Sequence, residues 1–415
     1  MIHHNNVPST VPEAEGDPGV LEPVAESFVR RFGPGSQVLF VRAPYRICPL
    51  GAHIDHQGGV VLGMAVERGV TLAWRRRPDR KVFVESRDYP GQARFQVDEP
   101  PPAGRQGHWT EYVAGAAWVL GHRGYRLTCG LEGIVSGELP VGGLSSSAAV
   151  GLCYGVAFRA ANGLPLRTWD VIESTLQAEN EYVGLSCGLL DPATVAFSRR
   201  NQLLRIDCRE REVSALGPGP DPESYRIAVV FSGVTRALIR SGYNKRVEEC
   251  RSAARALSRK AGLKPLRERL CEIAPEIYVH YARTLEEPLR RRAEHFFSES
   301  ARVARGEKAW QRGDIRAFGA LMNESGRSSV TNYEAGCPEV ISLWEIIAEA
   351  PGVYGTRFSG GGFGGAVIAL VDPSKEDLFT EEVRKRYLDR HPECREGFDI
   401  YFLRSSDGLS RLGAT

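Results

Sequence analysis

The sequence predicts an α+β protein built as two lobes, and three observations carry that expectation. Each half of the 415-residue chain opens on β-rich segments and passes into helical ones. The Gly- and Pro-rich stretch LGPGPDP, residues 216–222, is the best break between the halves. Each half also holds one glycine cluster beside a regular element, PVGGLSSSAAV (140–150) in the first and SGGGFGG (359–365) in the second. The expected organisation is a flexible tail over residues 1–26, an N-terminal domain over 27–220 and a C-terminal domain over 221–415.

In chain order, the tail is rich in Pro, Gly and acids and has no signal-type apolar core. QVLFV (37–41) reads as a strand, followed by the Gly-punctuated RAPYRICPLGAHIDHQGG. Segments 60–66 and 70–74, separated by Gly69, and then 81–86 and 93–97 read as further strands, all antiparallel. WTEYVAGAAWVL (109–120) has helical spacing, with Thr110 able to cap its start. A strand at 131–136 leads to a small-residue helix that starts near Ser145 and stops at Asn162–Gly163. A second helix follows over 169–182. In the second half YRIAVVFS (225–232) reads as a buried strand. Charged helices follow over 244–261, 266–285 and 289–311, and the second glycine cluster precedes the strand AVIALV.

Hydrophobic residues make up 42% and charged residues 25%, enough for a sizeable core. The 53 Lys and Arg nearly cancel the 51 Asp and Glu, so no overall field draws the chain to nucleic acid or a membrane. An anionic ligand must be held by a local site. Nine cysteines, an odd number without a CxxC pair, read as reduced thiols of a cytoplasmic protein. No apolar run reaches the ~18 residues of a membrane span. The sequence sets no oligomeric state.

Four segments carry chemistry. In PVGGLSSSAAV the pair Gly142–Gly143 lets a backbone come close to a ligand. Ser145, Ser146 and Ser147 follow at a helix mouth, where free N–H groups and the dipole favour a phosphate. A plain glycine turn with a serine cap has the same letters, and no Lys completes a Walker A loop. SGGGFGG precedes a strand, so it is not a dinucleotide fingerprint. Two glycine loops together suit a nucleotide held between lobes.

PYRICPLGAHIDHQGG crowds Arg46, His53, Asp55 and His56 among glycines. A polyol patch fits it better than a metal site of His53, Asp55 and His56, since a carboxylate takes two hydroxyl protons. ENEYVGLSCGLLDPATV offers Glu179 and Asp191, which without the other motifs would read as a surface acid and a helix cap. Arg75–Arg77 reads as an exposed strand edge rather than a phosphate clamp. Trp109 and Tyr112 read as core, with bordering an adenine as the alternative.

Taken together these segments resemble the small-molecule kinase superfamily of galactokinase, homoserine kinase, mevalonate kinase and phosphomevalonate kinase (the GHMP kinases). The resemblance spans nearly the whole chain, from PYRICPLGAHIDHQGG through GLSSSAA and CGLLD to SGYNKRVEEC, LMNES and GTRFSGGGFGG. It lies in the galactokinase branch, and PYRICPLGAHIDHQGG is most similar to the galacturonokinases. The resemblance implies a two-lobed fold with the active site in the cleft, ATP and Mg²⁺ as cofactors, and a sugar acid phosphorylated at its anomeric hydroxyl. It places catalysis on Arg46 and Asp191, and the phosphate cradle on Gly142, Gly143, Ser145, Ser146 and Ser147. Magnesium falls on Ser147 and Glu179, and the sugar on Ala52, His53, Asp55, Asp191 and Tyr243.

Three departures matter. The PVGGLSSS loop is one residue shorter than the usual galactokinase loop, and Pro192 stands where a glutamine is common. Ala52 stands where galactokinases carry a glutamate for the C6 hydroxyl, which favours a sugar bearing a C6 carboxylate. Arg236 and Arg240 are candidate cations for that carboxylate. The competing readings are a kinase for galactose or another sugar, and a non-catalytic sugar- and ATP-sensing protein.

Overall fold

A computed structural model describes residues 7–35, 37–104, 107–140, 142–217, 219–234, 242–264 and 267–413. The first lobe is organised on the strand Val60–Arg77, which pairs antiparallel with Leu39–Leu50 on one side and Gly130–Gly137 on the other. Lys81–Ser86 extends that sheet in parallel with Gly130–Gly137, against the antiparallel expectation. The helix Trp109–His122 lies between the two in sequence and carries the chain back to start in the same direction. The expected break at Gly69 is instead a register shift opposite Pro44 and Tyr45, so one long strand runs through it.

The second lobe has a four-stranded antiparallel sheet ordered Val353–Phe358, Ala366–Val371, Arg226–Ser232 and Phe398–Leu403. Its central strands, RIAVVFS and AVIALV, are buried almost throughout, as continuous apolar runs require. The small-residue helix Ser146–Ala161 packs against the first sheet with most of its residues buried, because Ala and Gly let it lie close.

Three expectations are corrected. The tail expected over 1–26 is ordered in its described part: Pro18–Phe32 is a helix capped by the Asp17 side chain. Leu21, Val24 and Phe28 of that helix bury one stripe, a period that its interspersed acids disguise. The helix expected over 266–285 is broken into a turn at Leu270–Glu272 and the short helix Pro275–Tyr281, since Pro275 can only begin a helix. The split at 220/221 is not clean. Ser410–Leu412 returns to pair with Leu39–Leu50 of the first lobe. The segments at 109, 146 and 289 fold as helices near their expected bounds, the last as Leu289–Gln311.

Candidate active site

A large cleft runs between the lobes, and the strand Leu39–Leu50 delivers Arg46 to its floor. Arg46 is 3% exposed. Its Nε donates to Asp191 Oδ1 at 2.7 Å and its Nη1 to the Gly143 carbonyl at 2.9 Å. Burial opposes the guanidinium charge, but the Asp191 carboxylate, together with Cys48 and Asp55 nearby, raises the Arg46 pKa. Asp191 sits in the first turn of the helix Leu190–Phe197, and its second oxygen accepts the Ser145 hydroxyl. One guanidinium thus ties a carboxylate to the first glycine loop.

Ser145 caps the helix Ser146–Ala161 in a left-handed conformation, φ 58°. Such a backbone is uncommon outside glycine, and here it turns the chain from the glycine pair into the helix. The glycines of the two loops also make room for each other. A Cβ on Gly142 would lie 2.8 Å from Gly365 Cα, and one on Gly143 would lie 2.9 Å from the Ser359 carbonyl. The Ser359 hydroxyl donates to the Gly143 carbonyl, which fastens the second lobe's loop to the first.

Ser147 lies in the first helical turn beside Glu179 and Tyr112. Glu179 comes from a wide π-helical turn, Ala178–Val183, of the kind that aims side chains at functional sites. It is 2% exposed, and neither carboxylate oxygen has a hydrogen-bond partner among the described residues. Burial, followed by the nearby Asp191 charge, pushes its pKa up to about 7. An orphaned buried carboxylate facing a serine hydroxyl is an oxygen-rich donor set of the kind a hard divalent cation prefers.

On the opposite wall, His53 stacks on Tyr333 with ring centroids 4.3 Å apart. Burial and the surrounding His295, Arg357, His56 and Arg46 charges depress its pKa, so it is a neutral imidazole. Asp55 begins the turn Asp55–Gln57, and Gly188 crosses it so closely that a Cβ there would lie 2.1 Å from Asp55 Oδ2. Burial and then Asp191 raise the Asp55 pKa to about 6. His56 faces away from ligand duty: Nε2 meets the Tyr333 hydroxyl at 3.1 Å and Nδ1 the Gln57 amide at 2.9 Å. Among the described residues no group of three His, Cys, Asp or Glu is placed to hold a metal. Tyr243, at the start of the helix Tyr243–Lys260, completes this wall.

Ala52 is buried and faces the cleft. Its backbone is held from the second lobe, where Glu299 Oε1 accepts the N–H of Gly51 at 2.8 Å and of Ala52 at 3.3 Å. His295 Nε2 reaches the Ala52 carbonyl at 2.9 Å. Sequence reasoning missed this pair. The signal was His295, Glu299 and Arg302 along one face of an otherwise charged helix, with Arg302 Nε bonded to Glu299 Oε2 at 2.7 Å.

Ser146 and both glycines of the first loop line the cleft, as do Trp109 and Tyr112. Arg75 and Arg77 do not: both pair with Glu132, and their strand lies inside the sheet rather than at an edge. Arg236 and Arg240 fall outside the described residues. The nine cysteines are all free thiols. Among the described residues no helix is long and apolar enough to cross a membrane.

Residues 111–199 match the GHMP kinases N terminal domain, 307–389 the GHMP kinases C terminal description, and 26–76 the galactokinase galactose-binding signature. A galacturonokinase from Arabidopsis thaliana is 38% identical over 392 residues, covering 90% of this chain and 92% of that protein. The chain is a GHMP-family sugar kinase. A galactokinase from Roseiflexus sp. (strain RS-1) is 34% identical, covering 93% and 96% of the two chains. The crystal structure of Lactococcus lactis galactokinase complexed with galactose superposes with a TM-score of 0.86 at 30% identity, covering 94% of this chain and 99% of that one. A mevalonate kinase structure at 16% identity, covering 90% of this chain and all of that one, shares the GHMP fold with a TM-score of 0.63.

Proposed function

We propose that this GHMP kinase transfers the γ-phosphoryl group of ATP to the anomeric hydroxyl of D-galacturonic acid, giving galacturonic acid 1-phosphate and ADP. The observation that carries the substrate is Ala52, buried in the cleft wall beside His53 and Asp55. A glutamate there would face a C6 carboxylate. At ~4 Å and an effective dielectric near 20 the repulsion is on the order of 4 kcal/mol, close to a thousandfold in affinity. Alanine removes that veto. The likeness to the Arabidopsis galacturonokinase points the same way.

In this reading Asp55 accepts sugar hydroxyl protons, with neutral His53 and Tyr243 beside it. Asp191 orients the C1 hydroxyl and takes its proton as the C1 oxygen bonds to the γ-phosphorus and the bond to the β–γ bridging oxygen breaks. Arg46 pairs with Asp191 and offsets charge on the transferring group. The first glycine–serine loop cradles the phosphates at the helix mouth. Ser147 and Glu179 would hold Mg²⁺, which supplies neutralisation of phosphate charge when bound. The main work of the protein is positioning.

A second reading, phosphorylation of galactose, is favoured by the galactose-binding signature over 26–76. An ADP-release assay over galacturonate, glucuronate, galactose and glucose separates the two. Galacturonate is expected to give the highest kcat/KM. A clear preference for galactose would overturn the substrate, and no turnover with any sugar would overturn the activity.

A further inference from the structure

We propose that the Arg357 guanidinium receives the C6 carboxylate of the sugar acid and so selects a uronic acid over a neutral hexose. The proposal rests on the galacturonate reading and names the group that would recognise the acid.

Among the described residues lining the cleft, only Arg46 and Arg357 carry a guanidinium. Arg46 is committed to Asp191 and the Gly143 carbonyl. Arg357, on the edge strand Val353–Phe358, is 1% exposed. Its Nη1 donates to the Cys48 carbonyl at 2.9 Å, and its Nε has no hydrogen-bond partner among the described residues. No carboxylate of the described residues pairs with it. A buried cation without a counter-ion is costly, and an anion brought by a ligand removes that cost.

Arg357 also stands at the correct end of the cleft. It binds the carbonyl of Cys48, four residues before Ala52. Its charge bears on His53, His295 and Glu299, the residue after Ala52 and the two that hold the Ala52 backbone. Glu299 is not its missing partner. That carboxylate is filled by Arg302, Ser325 and the Gly51 and Ala52 N–H groups. Asp55 and Glu299 stand nearby, yet neither pairs with Arg357 among the described residues, and alanine at 52 adds no further acid, which leaves a planar fork to a planar carboxylate.

The test compares galacturonate with its uncharged primary amide, which keeps the shape, in wild type, Arg357→Gln and Arg357→Lys. Wild type is expected to prefer the acid. In Arg357→Gln the acid-over-amide ratio of kcat/KM should fall roughly thirtyfold or more, with KM for ATP unchanged. Arg357→Lys keeps the charge but loses the fork, and should lower the same ratio about tenfold. Should the glutamine variant fail to fold, the lysine variant decides by that ratio. Equal losses on acid and amide would mark Arg357 as structural and overturn the assignment, as would an unchanged ratio. A wild type that prefers the amide or galactose overturns the substrate reading and this assignment together. A wild-type acid preference that both variants leave intact overturns this assignment alone.

Discussion

Asp191 is gripped on both oxygens, by Arg46 Nε at 2.7 Å on one and by the Ser145 hydroxyl on the other. The grip fixes the carboxylate's direction next to a phosphate-binding loop. Asp191→Asn keeps the size and removes the negative charge, leaving the Arg46 guanidinium buried without a counter-ion. Turnover is expected to fall by about 10²–10⁴, the range for losing a general base. ATP affinity by calorimetry should stay within about threefold, because the nucleotide is held elsewhere. Wild-type turnover in this variant would refute the role given to Asp191.

Glu179 offers the complementary test for magnesium. Its two oxygens are buried and unpartnered among the described residues, which is unfavourable unless a cation is bound. Glu179→Gln should raise the Mg²⁺ concentration for half-maximal rate by about tenfold or more. The same variant without Mg²⁺ should melt no lower than wild type, since it no longer buries a lone carboxylate. Magnesium titration of the rate and a thermal melt in chelator read the two effects. An unchanged magnesium requirement would remove Glu179 from the metal site.

Much of this site is visible in the sequence because its parts are short segments with unusual residue types. Glycine runs, and an Arg, two His and an Asp among glycines, do not arise from ordinary core or surface patterns. Roles were less visible than positions. Nothing local pairs Arg46 with Asp191, and only the resemblance to a kinase family joined them. The glycines near 142 and 365 suggest space for a ligand, whereas the fold shows the loops packed backbone to backbone. Glu299 and His295 were missed because they support a peptide some 240 residues earlier, and a helix written mostly in charges conceals its one buried polar face. The returning strand Ser410–Leu412 is too short for any two-residue period to be read.

Asp55 sets a pH dependence. Burial and Asp191 raise its pKa to about 6, against Arg46 and the N–H groups of His56 and Leu190, which favour the charged form. Above that pH it is a carboxylate able to accept sugar hydroxyl protons, and below it the carboxyl is neutral and a weaker acceptor. The value for free enzyme appears in kcat/KM. A plot of log kcat/KM for the sugar should therefore fall as pH drops through about 6, with KM for ATP much less affected. Asp55→Asn should lower kcat/KM and remove that inflection. Persistence of the inflection in the variant would assign it to another group.

Ala52→Glu probes the substrate directly. The position lies in the cleft wall with its backbone fixed by Glu299 and His295, so a new side chain there projects into the cleft. Near a C6 carboxylate it should reduce galacturonate kcat/KM by up to about a thousandfold, the factor set by on the order of 4 kcal/mol of repulsion. The loss should appear chiefly in KM, because the charge opposes ground state and transition state alike. Galactose carries a hydroxyl at C6 that can donate to the new acid, so its turnover should hold or rise. The comparison of two sugars on one variant separates electrostatics from general damage, which would depress both. Equal loss on galactose and galacturonate would mean that position 52 shapes the wall without reading the charge at C6.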